Sequence, residues 1–134
     1  MKDKIKEKLI AKIIANEIYY FDEIDSTQKI AKEFAEKQVN NGTVILANNQ
    51  IKGIGTHDRK WYSEKEKNIS FTLIIYPKCE VNNLDTLTID IAENIVKTIY
   101  ELYGIKLEIK NPNDIVYNKK KLGGILTQIT TIGK

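Results

Sequence analysis

The chain is short of the residues that most often carry chemistry. Its 134 residues hold one cysteine, one histidine, one tryptophan, one methionine, two prolines and a single arginine among 21 basic groups. A lone Cys79 rules out an internal disulfide, and the lack of a Cys/His cluster removes the ligands of a structural zinc site. No apolar run approaches the roughly 20 residues that span a bilayer, so no membrane role is expected. The N-terminus, Met-Lys-Asp-Lys-Ile-Lys-Glu-Lys, lacks the apolar stretch and small-residue cleavage site of a secretory signal, and the expectation is a cytoplasmic protein. A net charge of +3, with basic and acidic groups interspersed, argues against a nucleic-acid partner.

What remains fits one folding unit with a real core, over residues 1–134. Ile5, Leu9, Ile10, Ile13 and Ile14 share one face of an amphipathic helix over residues 3–15. Ile18 to Ile24 reads as a strand. Asp25-Ser26-Thr27 then caps a helix that runs to about Val39 and is closed by Asn40-Asn41-Gly42. Thr43 to Ala47 is a buried strand, residues 49–67 a long and mostly polar loop, and Asn68 to Tyr76 a strand stopped by Pro77. A long helix from Leu84 to Tyr103 ends at Gly104, and Ile105 to Ile109 is the next strand. Ile115 to Tyr117 and Lys121 to Ile129 form a hairpin around Asn118-Lys119-Lys120. Strands and helices mix without strict βαβ alternation, which predicts an α+β fold.

Four segments offer chemistry. Gly53-Ile-Gly-Thr-His-Asp-Arg59-Lys-Trp61 gathers the only arginine, histidine and tryptophan into one loop. Arg59 can grip a planar oxyanion at two points, and Gly53 and Gly55 permit close backbone approach to a ligand. A surface turn accounts for the same residues about as well. His57 reads as a solvated residue, and Trp61 either anchors the loop or stacks on adenine. Asp25-Ser26-Thr27-Gln28 sits where a strand hands over to a helix; a plain N-cap explains it, and a small polar group held by its hydroxyls is the sharper alternative. Lys110-Asn111-Pro112-Asn113-Asp114 presents a cation, amides and a carboxylate in one turn. Lys121-Leu122-Gly123-Gly124-Ile125-Leu126 puts a lysine before two glycines, which weaken a strand unless something must approach its backbone.

Ser26-Thr27, Gln50 to Trp61, Ser63 with Asn68, Lys110 to Asp114 and Lys121 to Leu126, in this order and at these separations, resemble the catalytic domain of biotin protein ligases. The resemblance spans about residues 18–129 and implies a class II aminoacyl-tRNA synthetase-like α+β fold, a mixed sheet with helices on one side. It implies two reactions. Biotin and ATP, with Mg²⁺, give biotinyl-AMP and pyrophosphate; biotin then passes to a lysine of a biotin carboxyl carrier protein or domain. A lipoate ligase or acyltransferase of the same superfamily, and a noncatalytic or split-subunit biotin-binding module, are the alternatives.

Carried over residue by residue, Ser26, Thr27 and Gln50 hold the ureido and neighbouring parts of biotin. Gly53 and Gly55 approach it, and Gly124 and Ile125 line its pocket. Lys121 bridges the biotin carboxylate and the α-phosphate. Arg59, Lys60 and Trp61 serve the nucleotide side, while Asn113 and Asp114 place the nucleotide, Mg²⁺ or the incoming lysine; Lys121, Arg59, Lys110 and Asp114 form the implied catalytic set. The chain departs from the family's pattern where Thr56 replaces an arginine, Ile54 an often basic residue, Asn111 a tryptophan and Glu66 a glycine. The family's C-terminal strands are expected beyond residue 134, so the resemblance also allows a homodimer or a partner chain that supplies them.

Overall fold

A computed structural model describes residues 14–78, 86–110 and 113–131. The helix expected over residues 3–15, Cys79, and the Asn111-Pro112 step fall wholly or largely outside these residues. The chain divides into two compact units, Met1–Pro77 with Thr130–Lys134, and Lys78–Ile129. Among the described residues no helix is long and apolar enough to cross a membrane.

In the first unit, β1 (Ile18–Ile24) pairs parallel with β2 (Thr43–Gln50), and β2 pairs antiparallel with β5 (Ser70–Ile74). The two-residue strands β3 (Gly53–Ile54) and β4 (Lys60–Trp61) form a separate small hairpin. Thr43 to Ala47 is buried on both faces, as a central strand rich in β-branched and apolar residues should be. Val44 and Leu46 pack with Ile18 and Leu73 on one face. On the other, the fully buried Ile45 meets Ile74 and Ala31 of helix α1 (Thr27–Glu36), with Phe21, Ile30 and Phe34 around them. Tyr19 and Phe34 add an edge-to-face contact at 5.0 Å.

Several boundaries differ from the sequence expectation, each for a local reason. Helix α1 ends at Glu36, short of Val39, because Gln38 already takes the left-handed conformation (φ 57°) that terminates it. Asn40-Asn41-Gly42 instead turns the chain into β2, with Gly42 at φ 85°. Strand β2 continues past Ala47 because its polar end finds partners on β1: Asn48 donates to Asp22 at 3.2 Å, and Asn49 to Glu23 at 3.3 Å. The expected long loop is therefore partly strand, first as the end of β2 and then as the β3–β4 hairpin. Strand β5 starts at Ser70, since Asn68 donates its side-chain amide to the Glu64 carbonyl in a turn and Ile69 is 82% exposed.

The second unit holds helix α2 (Leu87–Tyr103) and the antiparallel sheet β6 (Glu108–Lys110), β7 (Asp114–Tyr117) and β8 (Lys120–Gly124). Gly104 at φ 68° ends α2, its N–H donating to the Tyr100 carbonyl. Among the described residues, Ala92, Leu107 and Ile115 are the buried apolar ones here. Strand β6 begins at Glu108, later than expected, and the hairpin is tighter: Asn118 and Lys119 alone form the turn, both at positive φ, a geometry that matches the twist of a two-residue hairpin. Lys120 is thus a strand residue, and β8 ends at Gly124 rather than Ile129.

Asp22 ties the loop after β4 to the first sheet, accepting from Asn48 and pairing with Lys65 at 3.4 Å. The Asn48 hydrogen bond, and then the Lys65 ammonium, hold its carboxyl below the usual carboxylate range. A depressed folded value contributes stability above the unfolded value of 3.8, lost as pH falls through the folded value. Asp22→Asn should therefore lower the urea midpoint at neutral pH, and the gap from wild type should close below pH 3.8.

Candidate functional site

Ser26 has extended backbone, and its Oγ accepts from the N–H groups of Gln28 and Lys29, which makes it the N-cap of α1. Thr27 is the first helical residue and 4% exposed. One acceptor, Gln50 Oε1, takes both its N–H at 2.8 Å and its Oγ1–H at 3.0 Å. The register of β1 with β2 makes this meeting possible, since Ile24 lies opposite Gln50 and the chain turns into α1 just beyond. Thr27 Oγ1 also lies 2.9 Å from Thr72 Oγ1, and Thr72 donates to Gln28 Oε1 at 2.9 Å. Two hydroxyl protons thus serve three contacts, so the cluster can reorient to offer either a donor or an acceptor.

Thr72 was not singled out from the sequence, and Gln28 was named only as the last residue of the Asp25-Ser26-Thr27-Gln28 segment. A signal existed: on β5, Ser70 and Thr72 alternate in phase with Ile74 and place polar groups on a face that is otherwise core.

Gly53 lies opposite Trp61 in the β3–β4 hairpin and is buried. A Cβ there would stand 2.6 Å from the Trp61 carbonyl oxygen and 3.0 Å from Gln50 Nε2, so the hairpin closes over the Gln50 amide only because residue 53 is glycine. Toward the turn, the Gly55 N–H donates to the Arg59 carbonyl at 2.7 Å and the Arg59 N–H to the Thr56 carbonyl at 3.2 Å. His57 and Asp58 are both left-handed, at φ 58° and 57°, a strain of about 1 kcal/mol or more each. Arg59 and Lys60 are exposed, Trp61 is half-buried, and among the described residues Arg59 enters no ion pair. Ser63 Oγ is buried with no hydrogen-bond partner among the described residues.

In the second unit, Lys110, Asp114 and Gly124 lie opposite one another across β6, β7 and β8. Lys121 pairs with Val116, two residues along from Asp114, so Lys110, Asp114 and Lys121 share one face of this sheet. Lys121 Nζ sits 3.0 Å from Asp114 Oδ1, with side chains 47% and 24% exposed. A pair so open to solvent adds about 0–1 kcal/mol to stability; its effect is to fix the ammonium. An irregularity in the ladder leaves Leu122 out of register between Lys121 and Gly123. A Cβ on Gly123 meets nothing within 4 Å, so its described neighbours do not require glycine there. Asn113 pairs with Ile125 just past the end of the ladder.

A mixed sheet covered by a helix, a hydroxyl–amide cluster at a helix start, and a lysine held on a glycine-bearing strand define an α+β protein of the class II aminoacyl-tRNA synthetase type. A model of the biotin/lipoate A/B protein ligase family matches residues 20–134, and the chain belongs to that family. It is 34% identical over 128 residues to the bifunctional ligase/repressor BirA of Bacillus subtilis, covering 96% of this chain and 39% of that protein. The chain therefore spans well under half the length of this relative. Among solved structures, it resembles biotin protein ligase from Aquifex aeolicus in complex with biotin and ATP, at 31% identity and a TM-score of 0.75 over 86% of this chain and 47% of that one. A likeness in fold extends to biotin protein ligase from Leishmania major in complex with biotinyl-5-AMP, at 24% identity and a TM-score of 0.72 over 83% of this chain and 51% of that one.

The two glycines of the hairpin should respond differently to an added methyl group. Gly53→Ala should disrupt the β3–β4 hairpin and shift the fluorescence of Trp61, the chain's only tryptophan. Gly55→Ala, whose Cβ would lie 3.7 Å from the Arg59 carbonyl in ordinary contact, should leave that spectrum close to wild type.

Proposed function

We propose that the chain carries biotin protein ligase chemistry: it activates biotin with ATP to biotinyl-AMP and passes biotin to a lysine of a carboxyl carrier domain. The observation that supports this most directly is Lys121, held at 3.0 Å by Asp114 on the face it shares with Lys110, on a strand that carries glycine at 123 and 124. A fixed ammonium screens the repulsion between an attacking carboxylate and a phosphate, and stabilises charge as it develops on phosphorus. Glycines beyond it leave room for an acyl chain to lie against the backbone.

Ser26, Thr27 and Gln50 hold the ureido group in this reading, joined by Thr72 and Gln28, which complete the same hydrogen-bonded cluster. A cyclic urea offers one acceptor and two donors, which a cluster of hydroxyls and amides can match. The dithiolane of lipoate offers no such groups and would leave the cluster bonded only to itself, without the hydrogen bonds a urea gains. Biotin is therefore favoured over lipoate as the acid. Gly53 and Gly55 admit the ligand, Gly124 and Ile125 flank its acyl side, and Arg59, Lys60 and Trp61 face the nucleotide. Among the described residues no three potential ligand side chains cluster, and Asp114 is already paired with Lys121. Mg²⁺ belongs to the same proposal, placed with the nucleotide beside Asn113 and Asp114. A homodimer, or a partner chain that contributes further strands, belongs to the same proposal.

Calorimetric titration with biotin, with lipoate as competitor, should show binding of biotin alone; absence of biotin binding would sink the ligand assignment. Pyrophosphate release with ATP then tests activation. Lys121→Gln should lower the rate of that step by about 10²–10³ while changing biotin affinity far less. Biotin binding without pyrophosphate release would identify a binding module that needs a further segment or partner.

A further inference from the structure

Thr72 Oγ1 lies between two oxygens, 2.9 Å from Thr27 Oγ1 and 2.9 Å from Gln28 Oε1, and a hydroxyl has one proton to give. That proton goes to Gln28, so Thr72 can only accept on its Thr27 side. Thr27 then has a choice, since its own hydroxyl reaches Thr72 as well as Gln50 Oε1, which the Thr27 N–H already supplies at 2.8 Å. When the hydroxyl turns to Thr72, the run from Thr27 through Thr72 to Gln28 points one way. One lone pair of Gln50 Oε1 and those of Thr27 Oγ1 then stay open to an incoming N–H.

Half a turn of the Gln28 amide reverses this. Nε2 would donate to Thr72, Thr72 to Thr27 and Thr27 to Gln50, so that every contact carries a proton and the Gln50 oxygen is fully spent. Which amide atom faces Thr72 therefore decides how many acceptors the cluster offers. We infer that Gln28 is a positioning residue that acts through Thr72. Its carbonyl, by drawing the Thr72 proton, keeps Thr27 and Gln50 in an acceptor-rich state that suits the two N–H donors of a cyclic urea; that the ligand is such a urea rests on the biotin-ligase reading above. The backbone suits this part. The Gln28 N–H donates to Ser26 Oγ at 3.1 Å, which fixes the base of its side chain in the first turn of α1, while the β2–β5 register sets Thr72 opposite Ile45.

The test uses the full chain with Gln28→Met, which removes the acceptor at similar length, and Gln28→Glu, which keeps one. Each is also made alongside Thr72→Val, which removes the hydroxyl between Gln28 and Thr27. Biotin affinity is measured by calorimetry without nucleotide. The Gln50 side-chain amide signals are followed by ¹H–¹⁵N NMR without any ligand, and the same spectra report the fold of each variant. Gln28→Met should weaken biotin binding about fivefold, the worth of one neutral hydrogen bond, and Gln28→Glu should stay within about twofold of wild type. Alongside Thr72→Val, neither change should move affinity by more than about twofold from Thr72→Val alone, because the route to Thr27 is gone. In the ligand-free chain Gln28→Met should shift the Gln50 signals, with no further shift alongside Thr72→Val. A Gln28→Met loss that persists alongside Thr72→Val would overturn the inference, since Gln28 would then act on the ligand directly. So would a Gln28→Glu defect as large as that of Gln28→Met, or affinities that respond to neither. If the wild type binds no biotin, the biotin-ligase reading falls and the Gln50 signals decide the relay: a shift that needs Thr72 upholds it, while no shift, or one that persists without the Thr72 hydroxyl, overturns it.

Discussion

Two parallel neighbours cannot be joined by a tight turn, so β1 and β2 need a crossover, and α1 supplies it. The pairing is driven by the middle strand: five consecutive residues, Thr43 to Ala47, are buried on both faces and hold together two apolar clusters, one beneath α1 and one on the opposite face. Everything in the first unit's cluster follows from that register. Ile24 must lie opposite Gln50, and Thr27 opens the helix three residues after Ile24. The helix start, whose first N–H groups find side-chain acceptors in place of helical carbonyls, is thereby delivered to the carboxyl end of a parallel pair. That is where open α/β arrangements place ligands, and for the same reason: helix N-termini and strand C-termini converge there. The Gln50 amide accepts the Thr27 N–H because no helical carbonyl is available to do so.

The second unit achieves its order differently. Its sheet is short and antiparallel, and no residue of β8 is fully buried, so burial alone cannot fix the strand that carries Lys121. Side-chain bonds add to the ladder, from Lys121 to Asp114 of β7 and from Asn113, just before β7, to Ile125. An exposed ion pair and a single hydrogen bond from a side-chain amide are weak stabilisers, each contributing about 1 kcal/mol or less. They are well suited to setting position, because they act at stated atoms, whereas apolar contact is indifferent to small slides.

How far the residues announced themselves depended on what held them. Ile18–Ile24 was legible to the residue, as was the Gly104 stop of α2, because a run of isoleucine and aromatic residues and a left-handed glycine act locally. The end of β2 was not, because Asn48, Asn49 and Gln50 read as loop residues in isolation. They become strand only when Asp22, Glu23 and Thr27, more than twenty positions earlier, supply partners. Likewise Thr72 looked like an ordinary strand threonine, and its link to Thr27 spans 45 positions. The motif residues themselves were recognisable as an ordered set. What sequence could not convey is that Asn113 turns its amide to Ile125, since the rung it completes exists only once β7 and β8 have paired.

The proposed reaction brings a carboxylate to a triphosphate, and the chain distributes its cations unevenly for that task. Lys110 and Lys121 share the second sheet, while Arg59, the only guanidinium, stands exposed at the hairpin turn. Where the resemblance calls for a further arginine stands Thr56, whose carbonyl is already engaged by the Arg59 N–H. A charged hydrogen bond to a phosphate contributes about 1.5–3 kcal/mol, so its absence loosens the grip on an acyl adenylate by about ten- to a hundredfold. That loss falls on substrate and transition state alike, because an arginine on the loop contacts a phosphate whose charge is present throughout. Uniform binding of this kind lowers the affinity for ligand without raising the barrier between bound states. In the proposed reaction Lys121 has a different part, at the point where the carboxylate would meet the phosphate and charge would develop. Under the proposed function, the departures at Thr56 and Ile54 would therefore act on how long the intermediate is kept, while acyl activation would depend on the lysine that Asp114 holds in place.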